Sequence, residues 1–173
     1  DEGRPQTSRT FEVDRQYRFT KGSGLPLRIP VIEMAEIGAG GGSIAQIDNL
    51  GRIQVGPESA GSEPGPACYG QGGTGATVTD ADVALGRISP EGFAGGSVAL
   101  SPELADAVLD ETIAQKLNLD GPLAAFAVSE MVEENMSNAA RVHAVEQGKE
   151  LSERTLIAFG GAAPLHACRM AEK

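Results

Sequence analysis

The sequence predicts an α/β fold, and three stretches carry that prediction. Two short apolar runs, "SIAQID" and "RIQVG", flank "NLG" and read as a β-hairpin with Asn49 and Gly51 in its turn. Residues 122–147 lack glycine and proline after Pro122 and read as one long helix. Finally, "RTLIAFGG" followed by "AAPLHACRMAEK" reads as a strand, a glycine pair and a helix with Pro164 near its start.

Taken in order, residues 1–26 form a polar surface lead-in with a short strand at 10–13. The remainder, 27–173, divides into a glycine-rich β and loop part over 27–100 and a helical part over 101–173. "LRIPVI" reads as an edge strand or extended lead-in, because Pro30 cannot donate to a ladder. Most of the 23 glycines fall between Gly38 and Gly96. With Cys68, Tyr69 and several apolar residues among them, that region reads as an ordered, irregular loop packed over a site. A helix can begin at Thr79 or Asp80, whose side-chain oxygens suit the unpaired amides of a first turn, and stop near Gly86. The next helix has Ser101 as its cap, Pro102 in its first turn, and Ala105, Leu109, Ile113 and Leu117 on one face, ending near Asn118. Asp120 precedes the long helix and Gly148 closes it.

Composition excludes several functions. A net charge of −10 opposes binding to nucleic acid. No apolar run approaches the ~18 residues of a membrane span. Two distant cysteines signal neither a disulfide framework nor a zinc site, which fits a reducing, cytoplasmic setting. Aromatic residues make up only 4%, so the core is expected to rest on Ala, Val, Ile and Leu.

Two glycine clusters are candidate sites. Gly40, Gly41, Gly42 and Ser43 precede a strand and match neither a Walker nor a dinucleotide fingerprint, yet consecutive amides there can form an anion-binding nest, with Ser43 adding a hydroxyl. The alternative is a structural turn. Gly160 and Gly161 sit between strand and helix, where free amides and the helix dipole suit a nucleotide, or where a tight turn is simply needed. Along the long helix, Ala124, Val128, Met131, Asn135, Asn138, Val142 and Val145 trace a face on which two asparagines are expected to reach a loop backbone or a ligand. Glu130, Glu133 and Glu134 read as a solvated face, His143 and His166 as packed structural histidines, and Cys68 as a buried inert thiol.

Together, "IGAGGGSIA", "GPESAGSEPGPACYGQGGTGATVTDADVALGRI", "FAGG", "ENMSNAARVHAVEQG" and "LIAFGGAAPLHA" resemble, in this order, the hydantoinase A/5-oxoprolinase family, which includes the N-methylhydantoinase large subunits. The resemblance spans residues 27–173. It implies a partial, C-terminal portion of an actin-like (ribonuclease-H-like) ATPase fold, whose phosphate-binding Asp-Gly-Gly-Thr motif would lie upstream. It also implies an ATP-dependent hydrolase that opens hydantoin or 5-oxoproline rings by phosphorylating the amide oxygen, with ATP and magnesium used by the full-length protein and a hydantoinase B-type partner subunit. The isolated portion is then expected to be inactive. Gly160, Gly161, Ala162 and Pro164 become nucleotide-binding candidates, and Gly40 to Ser43 the bed for a developing negative charge. Asp80, Asn135 and Asn138 are candidates for polar lining, and Ser43 and Glu33 for catalysis; no metal ligands are assigned. Where many members carry Asp-x-His-Thr, this chain has Glu33, Met34, Ala35 and Glu36, so only a carboxylate remains. Relatives that carboxylate ketones such as acetone and acetophenone supply a second reading, and a non-catalytic scaffold domain a third.

Overall fold

A computed structural model describes residues 7–14, 16, 22–32 and 36–173. The chain forms two compact units, Asp1–Glu36 and Ile37–Lys173. In the first, β1 (Thr7–Ser8) pairs antiparallel with β4 (Val31–Ile32), and β2 (Phe11–Val13) with β3 (Leu25–Leu27). Pro30 falls between β3 and β4, where it costs no ladder bond.

The second unit is a mixed α/β body. β5 (Ser43–Ile47) and β6 (Ile53–Ser59) form the expected hairpin, with Gly51 at φ +75° in its turn. Asp48 holds that turn by accepting from the amides of Leu50 (2.8 Å) and Arg52 (2.9 Å). Helix α1 (Val78–Ala84) starts one turn's edge earlier than the sequence suggested. Thr77 is the cap: its hydroxyl accepts from the Asp80 amide, and the Asp80 carboxylate accepts from the Thr77 amide. The reciprocal pair satisfies two amides at once, which a cap at Thr79 or Asp80 would not. Helix α2 (Pro102–Leu109) is capped by Ser101, passes through one wide π-type turn at Asp110–Ala114 into α3 (Gln115–Leu117), and stops at Asn118 in the left-handed conformation. α4 (Gly121–Glu146) follows, capped by the Asp120 carboxylate on the Leu123 amide, and α5 (Ala163–Glu172) is last.

The core lies between the hairpin and the helices. Ala45 and Val55 of the hairpin meet Val78 and Ala81 of α1, Leu109 and Ile113, and Val128 and Val132 of α4. No aromatic side chain is buried among the described residues, as the composition implied. Small alanines such as Ala105, Ala124 and Ala125 let the helices approach closely.

Two expectations fail. Along α4 the expected stripe holds only at its start: Ala124 and Val128 are buried and Met131 packs on the core, but Asn135, Asn138, Val142 and Val145 are exposed and burial passes instead to Ser129, Val132, Glu133 and Met136. The displacement brings Glu133 inside because charged partners wait for it there. The strand expected at 154–159 does not form: this segment pairs with no strand among the described residues, and Ile157 and Phe159 are 78% and 83% exposed. A strand needs a neighbour's backbone, and propensity alone does not supply one.

Candidate functional site

The first wall of the site is the glycine loop ahead of β5. The Ser43 amide donates to the Gly40 carbonyl (3.0 Å), the Gly40 amide to the Ser43 hydroxyl (3.0 Å), and that hydroxyl to the Gly38 carbonyl (3.3 Å). Thr79 and Ala60 donate to the carbonyls of Gly41 (2.8 Å) and Gly42 (2.9 Å). The carbonyls of this loop therefore face protein, while the Gly41 and Gly42 amides meet no acceptor among the described residues. Side chains are excluded by space: a Cβ on Gly41 would lie 2.7 Å from Thr79 Oγ1, and one on Gly42 2.8 Å from Ser59 Oγ. Ser43, 4% exposed, spends its hydroxyl on holding the loop.

The second wall is the start of α5. Gly160 turns the chain at φ +98°, Ala162 caps the helix without a side-chain bond, and Pro164 sits exposed in the first turn. The amides of Gly161 and Ala162 have no acceptor among the described residues. Gly161 and Ala162 line the same cleft of about 470 Å³ as Gly41 and Gly42, and a Cβ on Gly41 would lie 3.6 Å from Ala162 Cβ, so the two clusters are neighbours at one candidate site. Both present unpaired N–H groups, α5 adds the positive end of its dipole, and Tyr69, Ile88, Phe93 and Leu165 give the cleft an apolar side.

The floor is a buried set of charges. Asp82 of α1 and Glu133 of α4 are 1% and 0% exposed, and His166 of α5 is fully buried between them. His166 Nδ1 lies 3.1 Å from Glu133 Oε1, and Nε2 lies 3.3 Å from Asp82 Oδ2, within ion-pair range but outside hydrogen-bond geometry. Arg87 closes the cluster: its Nη1 reaches Ser129 Oγ (2.5 Å), Glu133 Oε1 (3.0 Å) and Asp82 Oδ1 (3.4 Å). Burial alone would lower the His166 pKa, but the nearby carboxylates of Asp82 and then Glu133 outweigh it and raise the value above the ordinary 6.5. With His166 protonated, two cations balance two carboxylates. Asp82 and Arg87 also line the cleft. Among the described residues no group of three His, Cys, Asp or Glu side chains is arranged to hold a metal ion.

The remaining candidates have other surroundings. The Asp80 carboxylate is buried and accepts from Ala67 N (3.3 Å), Cys68 N (2.8 Å), Thr77 N (2.9 Å) and Thr77 Oγ1 (2.7 Å), pinning the glycine-rich loop to α1. Asn135 donates to the Val55 carbonyl of β6 (3.2 Å), and Asn138 accepts from Arg141 (2.7 Å). Cys68 is the buried thiol expected; burial, then the Asp80 carboxylate, raise its pKa far above the ordinary value. Glu33 lies outside the described residues.

Glu133 is not on a solvated face: it is the acceptor for Arg87 and His166, whereas Glu130 and Glu134 pair at the surface with Lys173. Asp82 and Arg87 were missed altogether. Their signal was the spacing "DADVALGR", in which an acidic residue on an otherwise buried helix precedes an arginine just past the helix end.

The cleft with its glycine walls and charged, buried floor is the candidate small-molecule site of this α/β chain. The structure superposes on the crystal structure of ATP-dependent caprolactamase from Pseudomonas jessenii with a TM-score of 0.79 and 39% identity, over 91% of this chain and 22% of that one. By sequence it is 41% identical to caprolactamase subunit alpha of Pseudomonas jessenii, over 84% of this chain and 21% of the relative. It is 43% identical to the acetophenone carboxylase gamma subunit of Aromatoleum aromaticum, over 81% and 19%. The model of the hydantoinase/oxoprolinase family matches residues 2–173, and the chain belongs to that family. It spans about one fifth of the length of these relatives.

Proposed function

We propose that this chain forms part of the ligand cleft of a longer, ATP-dependent enzyme that opens cyclic amides of the hydantoin, 5-oxoproline or lactam type. The observation that carries the reading is the meeting of the unpaired Gly41 and Gly42 amides with the Gly161–Ala162 helix start in one cleft. The kinship with an ATP-dependent caprolactamase supports the reaction class. An actin-like ATPase frame, a cytoplasmic location and a B-type partner subunit belong to the same proposal; the relatives named subunit alpha and gamma subunit are consistent with a multi-subunit enzyme.

In this reading Gly161 and Ala162, with Gly160 and Pro164 shaping their turn, lie against the nucleotide. The amides of Gly41 and Gly42, in a loop held by Gly40 and Ser43, stabilise negative charge developing on transferred or accepting oxygens. ATP supplies the activation of the amide oxygen. These amides fit a phosphate-bearing ligand, whereas the described residues present no ligand set for magnesium, and no role assigned here depends on it.

The test is substrate-dependent phosphate release by the full-length chain with its partner, using 5-oxoproline, hydantoin, caprolactam, acetone and acetophenone. Stimulation by a cyclic amide is expected. Stimulation only by a ketone with bicarbonate would move the enzyme to the carboxylases, the second reading that the acetophenone carboxylase kinship favours. A companion variant separates enzyme from scaffold. Gly161 lines the cleft and a Cβ there meets nothing within 4 Å, so Gly161→Val adds bulk at the cleft without a clash at Cβ. The Michaelis constant for ATP should rise about tenfold or more, ~1.4 kcal/mol of lost binding, at unchanged melting temperature. An unchanged constant would leave a scaffold.

A further inference from the structure

α5 carries the Gly161–Ala162 wall of the cleft, yet little holds its start in place. The chain enters it from residues 154–159, which pair with no strand among the described residues, and turns at Gly160 with φ +98°. Ala162 caps the helix without a side-chain bond. Farther on, Leu165 lines the cleft and Met170 rests partly buried on the core. Arg169 and Lys173, at the far end, pair with Glu130 and Glu134, whose side chains are 33% and 43% exposed. Solvent weakens pairs of this kind. The one fully buried side chain of α5 is His166, about 6 Å along the axis from Ala162.

His166 is a conditional anchor. Its Nε2 lies 3.3 Å from Asp82 Oδ2 of α1, and its Nδ1 lies 3.1 Å from Glu133 Oε1 of α4. Arg87 and Ser129 donate to the same Glu133 oxygen, and Arg169 of α5 itself stands 3.9 Å from Glu133 Oε2. Charged, the ring offers an N–H to each carboxylate, and His166 with Arg87 balances the pair. Neutral, it keeps one N–H, and its bare nitrogen meets an ionised oxygen in the interior. The buried cluster then carries an unbalanced negative charge, which water or movement must relieve. α1 and α4 are anchored by core residues such as Val78, Ala81, Val128 and Val132, whereas α5 adds only Met170, so α5 is the element that yields.

We propose that the proton on His166 sets the cleft: the charged ring draws the start of α5 onto Asp82 and Glu133 and holds the Gly161 and Ala162 amides at the ligand, and loss of the proton releases them. His166 is thus a positioning residue that touches no ligand itself. This rests on the nucleotide reading of Gly161 and Ala162 above and adds to it a control by pH.

The experiment uses the full-length enzyme with its partner subunit and has two readouts. Hydrogen exchange, corrected for its intrinsic rise with pH, is followed at the amides of α5 and of α2 in wild type, from below pH 6.5 upward. Protection of α5 is expected to fall about tenfold or more relative to α2 as the ring loses its proton. This readout needs no variant to fold. The second is the dissociation constant for ATP in wild type and in His166→Gln, which is neutral at every pH. Titration of the phosphates of ATP is common to both proteins and cancels in their ratio. The wild-type constant should lie about tenfold below that of the variant under pH 6.5 and converge on it as pH rises. An α5 that keeps step with α2 at every pH, or a ratio of the two constants that does not change, overturns this inference and leaves the nucleotide reading standing. An ATP constant unmoved by Gly161→Val overturns both.

Discussion

His166 shows how much a single side chain carries in this chain. It is the only buried residue of α5, and both ring nitrogens face carboxylates, which accept protons and do not supply them when ionised. A protonated ring presents an N–H to each of them, and the two carboxylates raise the pKa of His166 above its ordinary value despite burial. Replacing it by alanine strands Asp82 and Glu133 and is expected to cost about 3–5 kcal/mol, measured by urea unfolding at neutral pH. A histidine whose pKa is raised on folding contributes stability that is complete below its unfolded value and lost as pH rises through its folded value. Asp82, Glu133, Arg87 and, 3.9 Å from Glu133 Oε2, Arg169 face this cluster. The stability gap between wild type and His166→Gln should accordingly be widest below pH 6.5 and narrow as pH climbs above it. A gap that widens with pH would show that the ring is buried neutral. Sequence reading placed His166 in the interior but not between its partners, because Asp82 and Glu133 are distant in the chain.

At the scale of elements, the glycine-rich loop is held by backbone fit rather than by a hydrophobic stripe. A Cβ on Gly73 would come within 2.2 Å of the Gly65 carbonyl and 3.0 Å of the Ala67 amide, so two stretches of main chain touch there. Gly73→Ala should destabilise the protein by about 1–3 kcal/mol, seen as a lower urea midpoint. The same loop hangs on the Asp80 carboxylate through the Ala67 and Cys68 amides. Asp80→Ala should speed hydrogen exchange at those two amides and expose Cys68 to alkylation, while Cys168, already exposed, reacts at an unchanged rate. The Ser101 cap, the proline positions and the hairpin turn were legible in the sequence because each depends on residues within four positions of one another, whereas the α1 cap lies at Thr77 and not at Thr79 or Asp80. The order of the loop was inferred from its apolar content, but its anchor was not, since Asp80 looks like an ordinary cap residue until the loop folds back on it.

At the scale of the molecule, the apolar segment ahead of Gly160 pairs with no strand among the described residues. Leu156, Ile157 and Phe159 are 50%, 78% and 83% exposed, side by side with unpaired backbone. Exposed apolar, unpaired segments invite association. The 173-residue chain on its own should self-associate with increasing concentration in light scattering, and Ile157→Lys with Phe159→Lys should suppress this without lowering the melting temperature. Scattering that is unaffected by the two lysines would locate the sticky surface elsewhere.

The sequence by itself determined the α/β class, the bounds of the later helices, the hairpin, a core resting on small and aliphatic side chains and the two glycine turns, because these follow from local sterics, capping and composition. Tertiary structure alone decided that the two turns share one cleft, that α4 buries Glu133 and exposes its asparagines, and that Asp82, Arg87 and His166 meet. The physical reason is that burying a charge is unfavourable in isolation and becomes tolerable only beside its counter-charge. Periodicity records what a residue prefers alone, and the partner that reverses the preference comes from another helix.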